Sequence, residues 1–333
     1  MSHDADKSQL GTLFVNFSRF WPKFWLQMVV EGGRRSTGTP EAAPFFLWWL
    51  TPRQPDRSID TGACLDGRSV GSQEPMLSGS LFKYGPRSTN VAFKHGTHPR
   101  HVLVVGGLTD GLFATRWVEP LSRALESEGG VSVVQVLLSS SHSGYGTSSL
   151  DQDAEELEEL VRFLQAEAEA DYGIVGHSTG CQDAVRFCRR ILRAQSVPKP
   201  SFVILQAPVS DRESLALTSQ TTKNIDLARE LMTKSQGEEV LMPLSTQEDG
   251  SPITARRYLS LAAKGGDDDM FSSDLKDAEL DTLLGHMAGI PTLVLQSGAD
   301  EYVFPVSPPP SPLLSLSLLT PLSRFSFAGI FHT

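Results

Sequence analysis

A glycine-rich pentapeptide lies between a predicted strand and a predicted helix, and it constrains the fold more than any other feature of the chain. Tyr172–Val175 has the pattern of a short buried strand, residues 176–180 spell Gly-His-Ser-Thr-Gly, and residues 181–194 follow with apolar side chains at helical spacing. In this context a Gly-x-Ser-x-Gly motif places its serine on a tight, strained turn. Small residues two positions before and after the serine avoid clashes, and the helix directs its first amides towards it. Ser178 is therefore a candidate nucleophile.

Strands alternate with helices along the middle of the chain. Short β-branched or apolar runs predict strands over His101–Val105, Val131–Leu138, Tyr172–Val175, Phe202–Leu205 and Thr292–Leu295. Helical spacing predicts helices within Trp117–Glu128, after a capping Asp151, and over Cys181–Ala194. This order predicts an α/β fold with a mostly parallel, doubly wound sheet. The segment 210–289 is longer than one crossover requires, so we expect it to form a helical insertion over the sheet edge.

Composition divides the chain into three parts. Residues 1–75 contain four of the five tryptophans and a Gly/Ser/Pro-rich stretch, and we predict a poorly ordered extension. Its aromatic segment, residues 10–30, is too polar to span a bilayer and lacks signal-peptide features, which leaves weak contact with a membrane surface as the alternative. Residues 76–304 form the predicted catalytic domain, and residues 305–333 form a Pro/Ser/Leu-rich tail. We expect a cytoplasmic protein.

Charge and cysteine content exclude several classes of protein. The net charge is −10, and residues 76–305 hold 20 basic against 31 acidic residues, so we expect no affinity for nucleic acid. Three cysteines are too few for a disulfide framework. Residues 267–269 are three consecutive aspartates without a nearby histidine, which predicts a solvated loop or helix cap and no metal site. Pro99 interrupts the histidines at 95, 98 and 101, so we expect neither a metal nor a cofactor.

A glycine-rich loop after the first parallel strand is the candidate partner of Ser178 in binding a reacting carbonyl. An oxyanion hole of this kind takes one amide from that loop and one from the residue after the nucleophile. We assign these donors to the backbone amides of Leu108 and Thr179, with Gly107 as the competing first donor. The catalytic acid is expected in a loop after a later strand, where Asp300 follows Thr292–Leu295. Asp211 is the alternative acid.

Several motifs in this order resemble the α/β-hydrolases. The runs VGGLTDGLFATRWVEPLSRAL, LLSSSHSGYGTSSLDQD, GHSTGCQD, APVSDRE and SGADEYV are similar to a fungal and plant branch that includes the fungal fusarinine C hydrolase. That enzyme is an esterase that opens hydroxamate siderophores. The resemblance covers roughly residues 76–304 and implies ester hydrolysis through Ser178 and Asp300, with a small-molecule ester as substrate.

The end of the chain departs from this resemblance. Members of the branch continue after the equivalent of residues 300–303 into a helix, a last strand and a loop that carries the catalytic histidine. Here a Pro/Ser/Leu-rich tail follows, which we interpret as a misread gene end, and His332 is the only downstream histidine. We therefore expect the last strand and helix to be missing or replaced, His332 to be the candidate base, and the chain to be catalytically poor. His142, His177 and His286 are expected outside the triad.

The predicted function is that of a cofactor-free serine esterase acting through an acyl-enzyme. Two alternatives stay open at this point: an acyltransferase that uses the same acyl-enzyme, and a catalytically impaired or non-catalytic hydrolase-like protein. Because the acidic middle repels polyanions, we expect a neutral or cationic ester, or an ester-linked hydroxamate siderophore.

Overall fold

A computed structural model gives the fold. It describes residues 76–297, apart from 169–170, 239–241, 244–245 and 247–248, together with the backbone of three strands at 12–16, 25–29 and 325–331. Most of the predicted extension, most of the tail, and both Asp300 and His332 lie outside the described residues. The hypothesis of membrane-surface contact through residues 10–30 falls largely outside them as well.

The described residues form one eight-stranded sheet and one separate two-stranded ribbon. The strands are β1 (Thr12–Asn16), β2 (Trp25–Val29), β3 (Ser80–Lys83), β4 (Val91–His95), β5 (His101–Val105), β6 (Ser132–Leu137), β7 (Tyr172–His177), β8 (Phe202–Gln206), β9 (Thr292–Ser297) and β10 (Phe325–Phe331). Strands β1 and β2 make the ribbon. The large sheet has the order β10-β9-β8-β7-β5-β6-β4-β3, in which β3 and β4 are antiparallel to their neighbours and the others are parallel.

Helices lie on both faces of the sheet and in a long segment between β8 and β9. They are α1 (Val118–Ala124), α2 (Leu150–Glu167), α3 (Gly180–Ala194), α4 (Asp211–Leu215), α5 (Thr221–Thr233), α6 (Ala255–Ala262) and α7 (Asp277–Leu284). A π-helical turn over Leu125–Gly129 extends α1, and 3₁₀ turns cover His142–Gly146 and Gly285–Gly289. Within the described ranges, no helix combines the length and apolarity needed to cross a bilayer.

The central strand β5 shows why both faces of the sheet are covered. All five of its residues are buried, as expected for a parallel strand with helices on each side. Leu103 and Val105 belong to the core that holds α2 and α3, whereas Val102 and Val104 belong to the core beneath α1. The doubly wound arrangement predicted from the sequence is confirmed.

Most predicted elements have nearly the predicted bounds, and two differences have clear causes. Asp151 does not cap α2. The N-cap is Ser149, whose hydroxyl accepts a hydrogen bond from the Gln152 amide at 3.2 Å, and Asp151 lies in the first turn. The antiparallel strands β3 and β4 were not predicted, because β3 has three exposed residues of four and no buried run marks it.

The sequence predicted that the last strand is missing or replaced, and a strand from the tail takes that place. Strand β10 pairs in parallel with β9 at the edge of the sheet, with Phe325 opposite Thr292. The prolines that exclude a central strand end at Pro321, and the residues of β10 are rich in phenylalanine and contain no proline. The tail therefore supplies a strand at the position where a last strand was expected to be missing.

The insertion between β8 and β9 has its own small core, as its length predicted. This core joins α5, α6 and the serine-rich loop between β6 and α2 (residues 138–149) through buried side chains that include Tyr145, Met242, Ile253 and Tyr258. Leu108, from the loop after β5, packs against the same core. The insertion is thus in direct contact with the loop that we predict to bind the reacting carbonyl.

Candidate active site

Ser178 lies on a sharp turn between β7 and α3, the strand–turn–helix context that the motif predicted. Its backbone has a φ of 52°, a left-handed conformation that is strained for a residue with a side chain. The turn is held at its centre by the Ser178 amide, which donates to the Gln206 carbonyl on β8 at 3.0 Å. A strained serine held in this way projects its side chain from the end of the strand, where a substrate can reach it.

The two glycines of the motif are required by backbone packing. A Cβ on Gly180 would lie far inside van der Waals contact with the carbonyl oxygens of Val105 and Gly106. A Cβ on Gly176 would collide in the same way with the carbonyl of Gly180. Because these neighbours are backbone atoms, they cannot rotate away. The motif therefore brings the start of α3 against the loop that follows β5.

The loop after β5, which we call the carbonyl-binding loop because of its predicted role, supplies the second side of the site. A Cβ on Gly107 would lie 2.8 Å from the Ser178 Cβ, so this loop passes directly beside the serine. The Gly107 amide donates to the Asp110 carboxylate at 2.8 Å, whereas the Leu108 and Thr179 amides donate to no group within the described part of the chain. Leu108 and Thr179 therefore offer two available donors, one in the loop beside Ser178 and one in the next residue of the chain. Gly107, the competing donor, is already engaged.

The serine-rich loop closes the site from a third direction. The His142 amide donates to the Asp110 carbonyl at 3.2 Å, and its imidazole lies against Gly111. His142 is exposed, and its backbone has a positive φ of 57°.

Two other histidines lie near the turn at residues 176–180, which we call the elbow, and both have hydrogen-bond partners other than Ser178. The His177 Nδ1 is hydrogen-bonded to the Gln206 side chain, and its ring makes an edge contact with Trp117 at a centroid distance of 6.3 Å. The His286 Nε2 is hydrogen-bonded to the Val185 carbonyl behind α3 at 3.0 Å. Within the described ranges, no histidine is hydrogen-bonded to Ser178.

Asp211, the alternative acid, is tied to α3. Its carboxylate accepts a hydrogen bond from the Gln182 side-chain amide at 3.1 Å. Burial, and to a smaller extent the charge of Asp268, raises the pKa of the Asp211 carboxyl to about 7. This environment favours the protonated acid, which cannot orient a histidine as a carboxylate does. Asp300, the first choice, lies outside the described residues, shortly after β9.

A buried cluster of three acids and one arginine was not predicted. It consists of Asp153 on α2, Asp183 on α3, Asp268 after α6 and Arg257 on α6, and all four residues are buried. The prediction of a solvated loop or helix cap at residues 267–269 is wrong for Asp268 and Asp269, which are also buried. The sequence carried one sign of this cluster, which is an acidic residue on the apolar face of a predicted helix.

Asp153 shows that signal most clearly, because it lies between Leu150 and Leu157 at helical spacing on the buried side of α2. The pairing of acids from α2 and α3 with Arg257 in the insertion depends on contacts between distant segments, and sequence spacing does not encode these.

The carbonyl-binding loop and the acidic cluster share one small cavity. The cavity has a volume of about 30 Å³, enough for one or two water-sized groups. Its walls include Leu108 and Thr179 on one side and Asp153, Asp183 and Asp268 on the other. In the described ranges, no group of acids, histidines and cysteines has the arrangement of a metal site.

Comparison with known proteins identifies the family. A family model described as "Protein of unknown function (DUF1749)" matches residues 70–315, which is well over half of the chain. The chain belongs to this family. The DUF1749 match spans every strand from β3 to β9, and so it includes the elbow, the carbonyl-binding loop and the insertion.

Relatives and solved structures agree with the fold. The chain is 30% identical over 282 residues to "Fusarinine C esterase sidJ" of Aspergillus fumigatus, a match that covers 68% of this chain and 78% of the relative. The solved structure "Siderophore hydrolase EstB from Aspergillus fumigatus" superposes with a TM-score of 0.62 at 27% identity, covering 75% of this chain and 87% of that one. An "Alpha/Beta hydrolase fold protein of unknown function" superposes with a TM-score of 0.53 at 20% identity, covering 77% and 87%. This DUF1749 protein has the α/β-hydrolase fold.

Replacement of Gly180 by alanine tests the packing of the elbow. The new methyl group would force the start of α3 away from the carbonyl-binding loop, so we expect Gly180→Ala to lower the free energy of unfolding by roughly 1–3 kcal/mol. Urea unfolding followed by circular dichroism measures this change. Gly289→Ala is the matched control, because its Cβ would have no neighbour within 4 Å. Equal stability of both variants would contradict the packing argument.

The raised pKa of the Asp211 carboxyl predicts that the natural protein and an Asp211→Asn variant differ in stability by an amount that depends on pH. Its folded-state pKa of about 7 lies above the ordinary value of 3.8, so its contribution to stability is fully present below pH ~4 and is lost as the pH rises through about 7. The side-chain amide of an Asp211→Asn variant would not titrate and would still accept the bond from Gln182. We therefore expect this variant to gain stability over the natural protein between pH 4 and 8, by on the order of 1 kcal/mol or more. Urea unfolding at both pH values measures the gain, and a difference independent of pH would refute the assignment.

Proposed function

We propose that this protein is a serine carboxylic ester hydrolase that acts through an acyl-enzyme on Ser178. The observation that carries the proposal is the geometry of the elbow. Ser178 has a strained left-handed backbone at the end of β7, and available amides lie in the next residue, Thr179, and in the adjoining loop at Leu108. A nucleophile beside two converging backbone donors matches the needs of acyl transfer, in which negative charge develops on the carbonyl oxygen.

Asp300 and His332 complete the proposed triad. Strands β7, β9 and β10 are parallel, so their carboxyl ends lie at the same edge of the sheet. Asp300 follows the end of β9, and His332 is the residue directly after β10. We therefore expect acid and base at the edge of the sheet where Ser178 leaves β7, in the chain order serine, acid, histidine. This topology supports the two assignments.

The reaction proceeds in two steps. The Ser178 hydroxyl attacks the ester carbonyl carbon while the imidazole of His332 takes its proton, and Asp300 stabilises the resulting imidazolium. The carbonyl oxygen becomes an oxyanion that accepts hydrogen bonds from the Leu108 and Thr179 amides. The alcohol leaves with the proton from the imidazolium. Water then attacks the acyl-enzyme by the same route, releases the acid and restores the Ser178 hydroxyl.

We propose an ester-linked hydroxamate siderophore as the substrate. Two of the similar proteins are named as a fusarinine C esterase and a siderophore hydrolase, and the matches to them cover most of each chain. The acidic surface also suits a substrate that is not a polyanion. The insertion core in contact with Leu108 supplies an apolar wall close to the reacting carbonyl.

A fluorophosphonate probe tests the nucleophile. Such probes react with an activated serine and stop before water can release the group, so we expect covalent modification at Ser178 in the natural protein and none in Ser178→Ala. Peptide mass spectrometry locates the modified residue. Ser127→Ala, an exposed serine on the π-helical turn, is the control and should label normally. His332→Ala should lower the rate of labelling several hundredfold, within the ~10²–10⁴-fold range expected for loss of a base. An unchanged rate would remove His332 from the mechanism.

Product analysis tests the substrate. We expect the natural protein to open fusarinine C faster than it cleaves short p-nitrophenyl esters, when both rates are expressed as kcat/KM. Mass spectrometry of the linear product and absorbance of p-nitrophenolate measure the two reactions. Cleavage of the short esters alone would reject the siderophore substrate and retain the esterase.

A further inference from the structure

The small cavity beside Ser178 has a chemical character that the triad does not use. Its lining includes the donors that we assign to the oxyanion hole and the carboxyl groups of three acidic residues. Asp153, Asp183 and Asp268 come from three different elements and meet there, with Arg257 as the basic residue among the cavity walls. Three carboxyl groups and one guanidinium therefore share a cavity whose lining also includes the loop that we assign to carbonyl binding.

The hydrogen bonds of the cluster leave acceptors unused. Arg257 donates to one oxygen of Asp268 at 2.5 Å, and Ser260 donates to the same oxygen at 2.7 Å. The Arg257 Nε donates to the Tyr145 carbonyl at 2.9 Å, so both Nε and Nη1 of this arginine are already hydrogen-bonded. The other oxygen of Asp268 and one oxygen of Asp183 are buried without a hydrogen-bond partner among the described residues.

These two acceptors are the observation that points to a ligand. Asp268 is 1% exposed and Asp183 is 7% exposed, and both line the cavity. A buried acceptor without a donor destabilises the folded state by about 1–3 kcal/mol unless a ligand or water supplies one. The cavity therefore favours a ligand that has several hydrogen-bond donors and no acceptor.

The raised pKa values of two carboxyl groups in the cluster agree with a site for a ligand that donates hydrogen bonds. Burial raises the pKa of Asp153 to about 7, and burial together with the charges of Asp153 and Asp268 raises the pKa of Asp183 well above its usual range. The two carboxyls are close enough to share a hydrogen bond. Protons and a bound cation thus compete for the same carboxyl groups, and a bound cation would release the protons.

We infer that this cavity is a subsite for a primary ammonium group, carried by the substrate close to its scissile carbonyl. The inference rests on the proposed function for the position of the carbonyl. An ammonium group has three donors and no acceptor, and it is about the size of a water molecule. The subsite selects esters with an amino group on the acyl chain.

A pair of matched esters tests the selectivity. The p-nitrophenyl ester of 3-aminopropanoic acid carries an ammonium group where the butanoate ester carries a methyl group. After correction for spontaneous hydrolysis, we expect the natural protein to prefer the ammonium ester in kcat/KM by roughly ten- to hundredfold, as charged hydrogen bonds imply. Asp183→Asn and, should it fail to fold, Asp183→Ser should each reduce this ratio at least tenfold. The control Asp267→Asn changes an exposed neighbour of the cluster and should leave the ratio unchanged.

Calorimetry with n-propylammonium chloride tests the subsite without any reaction. We expect saturable binding to the natural protein and to Asp267→Asn, with proton release seen as a dependence of the heat on the buffer, and no binding to Asp183→Asn. Propan-1-ol with sodium chloride at equal ionic strength is the reference and should give no saturable heat. Binding without any ester cleavage would uphold the subsite and reject the proposed function. Equal cleavage of the two esters together with no ammonium binding would overturn the subsite and leave the esterase intact; absence of both cleavage and binding would overturn both.

Discussion

The backbone contact between the start of α3 and the loop after β5 is the constraint on which the site depends. Gly180 allows this contact because its Cα lies against the Val105 and Gly106 carbonyls, with no room for a side chain. The contact brings the loop that carries Leu108 beside Ser178, next to which Thr179 follows in the chain. The strained conformation of Ser178 follows from the same geometry, since the chain must reverse direction within a few residues between strand and helix.

The insertion is linked to this arrangement by two different kinds of contact. Leu108 packs against its apolar core, and Arg257 of α6 reaches the acidic cluster behind the carbonyl-binding loop. A buried ion pair is a weak source of stability, because desolvation offsets much of the attraction. Arg257 also donates to the Tyr145 carbonyl at 2.9 Å, which holds the insertion against the serine-rich loop, and Arg186 of α3 pairs with Asp267 of the insertion at 3.0 Å. The insertion and the loop after β5 are thus parts of one connected structure.

The sequence predicts the parallel part of the fold well because the signal is local. Each buried parallel strand is a continuous apolar run, as His101–Val105 shows, and the Gly-x-Ser-x-Gly motif fixes the order of strand, turn and helix. The sequence does not reveal an element whose local pattern is weak or whose structure depends on contacts between distant segments. Strand β3 is mostly exposed and has no apolar run, and β10 follows a proline-rich stretch that conceals it. The acidic cluster depends on three distant segments meeting, so no spacing rule could find it.

A high-resolution crystal structure of the fluorophosphonate adduct tests the central claim most directly, because the phosphoryl oxygen takes the place of the oxyanion. We predict that phosphorus is bonded to the Ser178 Oγ and that the phosphoryl oxygen lies within about 3.1 Å of both the Leu108 and Thr179 amide nitrogens. The Gly107 amide should keep its hydrogen bond to Asp110. An adduct on another residue, or a phosphoryl oxygen bound by the Gly107 amide with Asp110 displaced, would contradict the account.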